Sequence, residues 1–294
     1  MKKLIFIALI ACRVIGLQAQ SDTTKYGVVV PRGFSYQLDV VYKTVGDWQG
    51  RFDIYMPPSS GKPTPLVINI HGGSWARQDK SRQRSFGAFF NENIAVANIN
   101  YRLLKVSPAP AAVEDVRSMI VYMINHAGQY NIDPNNIILR GSSAGGHLAM
   151  LAGYLADNPL YDADRQGVQT IGVSAIVNVY GVADMSIFSA GDAAYPAVSD
   201  WLGNKANEAG FVQSVSPVFH INKNSPPTFT IHGDADPLVP FGQSILLTEK
   251  LQAAGVANEL FVIPGGKHGG FTKKQNNEAS VAMIAFLKRV GVLK

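Results

Sequence analysis

The 294 residues are 47% hydrophobic and 16% charged, a balance that suits one large globular domain with an ample core and excludes extended disorder. Three of the 26 basic residues, Lys2, Lys3 and Arg13, lie in an acid-free stretch at the N-terminus, and beyond it 23 bases face 21 acids. The formal net charge of +5 is therefore no sign of nucleic-acid binding, and the Lys80-Ser81-Arg82-Gln83-Arg84 run, without interleaved aromatics, reads as a solvated helix start.

Residues 1–19 have the charged start and short apolar centre of a secretory signal peptide, too short to span a bilayer. Cleavage is expected after Ala19 in Leu17-Gln18-Ala19, which makes the protein secreted or periplasmic. The alternative is a lipid anchor through Cys12, in Leu9-Ile10-Ala11-Cys12. Cys12 is the only cysteine, so export implies no disulfide framework here.

After a leader over 20–35, residues 36–43 and 50–56 read as two strands of a hairpin turned at Gly46 and Asp47. A continuous apolar run at 65–70 ends in His71-Gly72-Gly73-Ser74-Trp75. Paired glycines there let backbone N–H groups face a negative oxygen unobstructed, whereas His71 reads as structural. A helical pattern at 84–91, a strand at 94–99 and a long helix at 109–129 follow.

The run 137–139 leads into Gly141-Ser142-Ser143-Ala144-Gly145-Gly146 and then a helix to 156. A serine hydroxyl is a poor nucleophile unless it is held on a sharp strand-to-helix turn, exposed to a base and close to oxyanion donors. Gly141 and Gly145 flank Ser143 where a Cβ would clash. A Gly-x-Ser-x-Gly alone is a weak signal, and the strand before it and helix after it give it weight.

A strand at 171–179 ends at Tyr180, and the excursion 181–226 that follows is far longer than the ~2–6 residues usual for such a connection. It carries Met185, Phe188, Tyr195, Trp201, Leu202 and Phe211, and reads as a partly helical cap or as a surface excursion with its own apolar cluster. The strand 228–231 closes in His232-Gly233-Asp234-Ala235-Asp236, offering two carboxylates: one to orient an imidazole, the other to hold the loop by backbone hydrogen bonds. A helix at 241–254, a strand at 259–263, the Gly-rich loop 264–270 with His268, and a helix at 276–290 complete the chain. Strands that are continuous rather than alternating, separated by helices, predict a three-layer α/β sandwich with a mostly parallel sheet and an N-terminal antiparallel hairpin. His147 is expected to pack behind Ser143, and no histidine pair has metal-ligand spacing with a third ligand nearby.

Taken together, His71-Gly72-Gly73, Asn100-Tyr101-Arg102-Leu103 with Pro110 to Val116, the elbow 141–146, His232 to Asp236 and His268 resemble the α/β-hydrolase esterases from about Tyr36 onward. The chain is most similar to exported bacterial carbohydrate and feruloyl esterases, and next to the hormone-sensitive-lipase-like carboxylesterases. In the second group the residue before the nucleophile is commonly acidic, whereas Ser142 stands here, and a longer N-terminal helical cap is usual. The resemblance implies Ser143 as nucleophile, His268 as the base that follows both nucleophile and acid, and Asp236 rather than Asp234 as the acid. It places the oxyanion donors at Gly72, Gly73 and Ala144. It implies no cofactor, no metal, no nucleic acid and no obligatory protein partner. The substrate it implies is an ester, with acetyl or feruloyl groups on plant polysaccharide preferred, and Trp75, Tyr180 and Trp201 are expected to touch it. A general carboxylesterase is the alternative. A peptidase related to prolyl oligopeptidases lacks its propeller-length domain here, and a noncatalytic binding protein would not need the full triad.

Mass spectrometry of the exported protein should find Gln20 at its N-terminus and no acyl group; a diacylglyceryl group on Cys12 would replace release by membrane anchoring.

Overall fold

The computed structural model describes residues 21–155, 161–162, 165, 167–189 and 196–294. The expected leader with its cleavage site and Cys12, the side chain of Phe188, and Tyr195 all lie outside the described residues. Two short strands, β1 (Asp22–Thr23) and β2 (Val29–Val30), pair with each other. An eight-stranded sheet follows, made of β3 (Ser35–Val45), β4 (Trp48–Met56), β5 (Thr64–Ile70), β6 (Ala95–Ile99), β7 (Ile132–Ser142), β8 (Ala175–Val179), β9 (Thr228–Gly233) and β10 (Asn258–Ile263). Its order is β10-β9-β8-β7-β5-β6-β4-β3. The β3/β4 hairpin and the β4/β6 pair are antiparallel, and every other pair is parallel. Every residue of β6, β8 and β9 is buried, and β6 and β8 run almost continuously apolar as strands covered on both faces do, whereas β9 places Thr228, Thr230 and His232 among its buried positions.

Helices α1 (Gly87–Phe90), α2 (Ala111–Asn125), α3 (Ala127–Tyr130), α4 (Ala144–Tyr154), α5 (Ser186–Ser189), α6 (Pro196–Leu202), α7 (Ala209–Ser214), α8 (Gly242–Ala253) and α9 (Lys273–Arg289) complete the layers. Val116 of α2, Leu148 of α4 and Leu247 of α8 share one apolar cluster with Leu66 and Leu139. Phe89 of α1 and Phe286 of α9 fill the other with Val67 and Val177. The sheet is thus covered on both faces, the α/β-hydrolase sandwich expected from the sequence.

Several boundaries differ from the apolar pattern. The run 171–179 is strand only from Ala175, while the strand before the elbow extends from Ile132 to Ser142. The predicted helix over 109–129 breaks at His126, whose ring stacks on Tyr122 at 4.0 Å and whose Nδ1 donates to the Tyr122 carbonyl at 2.7 Å. Within 181–226, Met185, Val198, Trp201, Leu202, Val212 and Val215 belong to the same cluster as α2 and α4. The excursion therefore builds onto the main core and does not form a separate one.

Lys80 corrects the expectation of a solvated run. Asp79 does cap a short 3-10 turn there through the Ser81 amide, but Lys80 itself is only 2% exposed. Its ammonium donates to Asp53 at 2.6 Å and Asp39 at 2.8 Å, and Asp39 in turn takes Lys25 at 2.5 Å and the Tyr26 hydroxyl. Burial raises the Asp53 carboxyl above its ordinary range, and Lys80 offsets part of that shift. Sequence spacing does not reveal this, since Asp53 is 27 residues away.

Removing one partner of such a buried pair leaves the other charge stranded, so Lys80→Met should lower stability by about 3–5 kcal/mol. The double variant Lys80→Met with Asp53→Asn should recover much of that loss in urea denaturation; equal loss in both would show that the pair is not what the site depends on.

Candidate active site

The elbow is built from crowding. Ser143 sits between β7 and α4 with φ 54° and ψ −122°, its N–H donating to the Val179 carbonyl at 2.9 Å. A non-glycine residue in that region is strained and persists only where its surroundings hold it. Here they do: a Cβ on Gly141 would stand 2.0 Å from the Gly145 carbonyl oxygen, and one on Gly145 would stand 2.2 Å from that of Ile70.

His268 comes from the loop between β10 and α9, and its Nε2 lies 2.9 Å from Ser143 Oγ. Its Nδ1 lies 2.7 Å from Asp236 Oδ2. A carboxylate can only accept, so Nδ1 carries the proton and the Nε2 lone pair faces the serine hydroxyl. Asp236 is 8% exposed. Burial alone would raise its carboxyl; hydrogen bonds from His232 and His268 and from the Leu238 and Val239 amides outweigh that and hold it well below the usual carboxylate range. Asp234 instead accepts the Gly265 amide at 2.6 Å, holding the β9 and β10 loops together.

His232 contributes an unforeseen support. Its Nε2 lies between Asp236 Oδ2 (3.2 Å) and the Val239 carbonyl (3.0 Å), so that nitrogen donates, and Nδ1 accepts from Ser244 at 2.6 Å. His232 thus shares Asp236 Oδ2 with His268, while the Leu238 and Val239 amides donate to Oδ1. The only hint in the sequence was the spacing of four residues between His232 and Asp236 at a strand end.

Beside the serine, β5 leads into His71, Gly72 and Gly73. His71 Nδ1 donates to the Gly72 carbonyl at 2.6 Å, and the Tyr101 hydroxyl donates to the His71 carbonyl at 3.0 Å. In a trans peptide the N–H lies opposite the C=O. The Gly72 and Gly73 amides therefore turn away from His71 and Tyr101, on the side where both glycines line a cavity. Neither amide, nor that of Ala144 at the start of α4, has an acceptor among the described residues. Burial lowers the His71 pKa to about 4, keeping the ring neutral, and it stacks on Tyr101 at 4.3 Å. Arg102 next to Tyr101 is clamped to Asp115 and Glu114.

The cavity has a volume of about 720 Å³ and is lined by Gly72, Gly73, Ser143 and His268, with Ser74, Arg77, Gln78, Gln83 and Ser142 on its polar side. Tyr180, Leu238, Pro196 and Ala197 form the rest of the wall. Tyr180, at φ 44°, places its ring 4.5 Å from that of His268. Of the three aromatics expected to touch substrate, only Tyr180 lies there. Trp75 and Trp201 are 2% and 0% exposed, and their rings stack on each other at 4.9 Å. The Trp75 indole donates to His147 Nδ1 at 3.2 Å, while His147 Nε2 donates to the Val215 carbonyl at 2.8 Å. Two indoles and a neutral imidazole, whose pKa burial lowers to about 4, make a packing unit behind the wall. The excursion reaches the cavity through Pro196 and Ala197 instead.

The strained serine, the imidazole on a late loop and the acid after the preceding strand define an α/β hydrolase. The BD-FAE family model matches residues 52–251, and the chain belongs to that family. Esterase LipQ of Mycobacterium tuberculosis is 27% identical over 245 residues, 81% of this chain and 58% of its own length. The chain therefore spans little more than half of that relative. A truncated carbohydrate esterase from gut microbiota has a similar structure, with a TM-score of 0.72 and 27% identity over 87% of this chain and 96% of that one. An acetyl ester-xyloside bifunctional hydrolase from Caldicellulosiruptor lactoaceticus matches with a TM-score of 0.77 and 25% identity, over 90% of this chain and 99% of that one.

The two carboxylates make separable predictions. Asp236→Asn should lower turnover of p-nitrophenyl acetate by about 10⁴, because the His268 tautomer is lost. Asp234→Asn removes one loop hydrogen bond and should cost less than about tenfold; a larger loss from Asp234→Asn would reverse the two roles.

Proposed function

We propose that the chain is a serine carboxylic-ester hydrolase that removes acetyl or feruloyl groups from an acylated saccharide. The observation that carries the reading is the hydrogen-bond chain from Ser143 through His268 to Asp236, opening on a cavity beside unpartnered amides. Ser143 Oγ attacks the ester carbonyl as His268 Nε2 takes its proton, and the oxyanion is stabilised by the Gly72, Gly73 and Ala144 amides. His268 then protonates the leaving alcohol, which leaves an acyl-enzyme. Water, giving its proton to His268, attacks that carbonyl in turn; the acid departs and the proton returns to Ser143. Asp236 holds Nδ1–H throughout and stabilises the imidazolium.

The saccharide reading is supported by the cavity wall, where Ser74, Gln78 and Gln83 offer donors and acceptors to a hydroxyl-rich alcohol. Its volume exceeds what an acetyl group needs, leaving room for an aromatic acyl group beside Tyr180 and Leu238. The two similar structures, named for carbohydrate esters, point the same way. With the leader expected at 1–19, the reaction takes place outside the cytoplasm.

Purified protein should hydrolyse p-nitrophenyl acetate, and across acetylated xylan, methyl ferulate, pectin and medium-chain acyl esters it should favour the acetylated saccharide or the ferulate. Ser143→Ala should keep its melting temperature and lose about 10⁴–10⁶ in turnover. Preference for medium-chain esters would make this a general carboxylesterase, and near-wild-type turnover in Ser143→Ala would remove the mechanism.

A further inference from the structure

Among the described residues that line the cavity, Arg77 is the only Lys, Arg, Asp or Glu. Its side chain is exposed, and it makes no hydrogen bond or ion pair with a described residue. The nearest acid in the chain, Asp79, is engaged with the Ser81 amide at 2.7 Å and does not line the cavity. Among the described residues, none neutralises this cation in the cleft.

The backbone that carries Arg77 is held firmly. On one side Trp75 is buried, and its carbonyl accepts the Leu104 amide at 2.8 Å. On the other, Lys80 donates its N–H to Asn100 Oδ1 at 2.7 Å and accepts from Asn98 Nδ2 at 2.7 Å, besides its buried ion pair. Along this segment the chain turns through positive φ at Ser74, Trp75 and Gln78, an arrangement that persists only when its surroundings enforce it and that clusters at binding sites. The Arg77 amide donates to the Gly73 carbonyl at 3.0 Å, and a Cβ on Gly73 would stand 2.1 Å from the Arg77 carbonyl oxygen. The segment that holds Gly73 thus also holds the Arg77 backbone beside it.

We propose that Arg77 is a specificity residue that pairs with a carboxylate on the substrate, so that the preferred ester is an acidic one. This rests on the ester-hydrolase reading of the same site. A planar guanidinium matches a carboxylate in bidentate fashion, and in a partly enclosed cleft such a pair is favoured over a hydroxyl in the same place. Two sources offer that chemistry: a uronic acid on the saccharide that carries the ester, or a free carboxyl at the far end of the acyl group.

The test compares kcat/KM on acetylated xylo-oligosaccharides with and without a uronic-acid substituent, and on p-nitrophenyl hemisuccinate against p-nitrophenyl butyrate. Wild type should favour the acidic member of one pair by about ten- to a hundredfold, the effect of one hydrogen-bonded charge, with the difference mainly in KM. Which pair shows it identifies the source. Arg77→Gln should bring that ratio to about one, Arg77→Lys should retain part of it, and rising salt should shrink it. No preference in wild type for either acidic ester, or a preference that survives Arg77→Gln, would overturn the proposal. Should no ester be hydrolysed at all, the ester-hydrolase reading fails separately. Calorimetry with a deacylated uronate-bearing xylo-oligosaccharide and with free succinate then decides the matter for Arg77: binding by wild type that is lost in Arg77→Gln supports it, and no binding or equal binding overturns it.

Discussion

At the tip of β7 three segments of backbone share a space that no side chain can enter. The Gly145 position is closed by the Ile70 and His71 carbonyls at 2.2 and 2.5 Å and the Gly141 position by the Gly145 carbonyl at 2.0 Å, while a Cβ on Gly181 would stand 2.6 Å from the Gly146 backbone carbon. This contact among β5, β7 and β8 forces the chain to reverse abruptly, and the residue at the reversal is Ser143 with φ 54°. The same contact brings Gly72 next to it, since a Cβ on Gly72 would stand 3.3 Å from that of Ser143. Ser143 and the Gly72 amide, the proposed nucleophile and oxyanion donor, are thus positioned by one steric constraint in the rigid centre of the sheet, where such precision is less costly than on a free loop.

Electrostatics divides the histidines by role. His71 and His147 make no hydrogen bond to a carboxylate, and burial lowers both to about 4, so they act as neutral hydrogen-bonding wedges that support the Gly72 backbone and Trp75. His232 and His268 instead face one carboxylate, Asp236, whose ionised form is held by four hydrogen-bonding partners. A base poised between a fixed acceptor and a serine hydroxyl is what acyl transfer requires. Far from the site, the Lys80–Asp53 pair fastens the loop that begins at Gly73 to the hairpin side of the sheet.

Features controlled by local pattern were legible in the sequence. Largely apolar runs revealed the parallel strands because burial on both faces leaves few polar positions, and the flanking glycines marked the elbow because only they tolerate its crowding. The order of Ser143, Asp236 and His268 came from the resemblance, and the structure brings all three within hydrogen-bonding distance. Features controlled by long-range partners were not legible. Trp75 and Trp201 carry the same residue type whether they face substrate or each other, and only their stacking across 126 positions decides it. Lys80 looked solvated because its acids lie 27 and 41 residues away. Arg77 and Gln83 had no motif to mark them, since a cavity wall assembled from a loop leaves no periodicity.

Covalent labelling tests the central claim, that Ser143 is the attacking group, more directly than kinetics. On treatment with diethyl p-nitrophenyl phosphate, ester hydrolysis should fall in step with the appearance of a single diethylphosphoryl group, and peptide mass spectrometry should find it on Ser143. Complete inactivation with Ser143 unlabelled, or full activity with Ser143 fully labelled, would contradict the account.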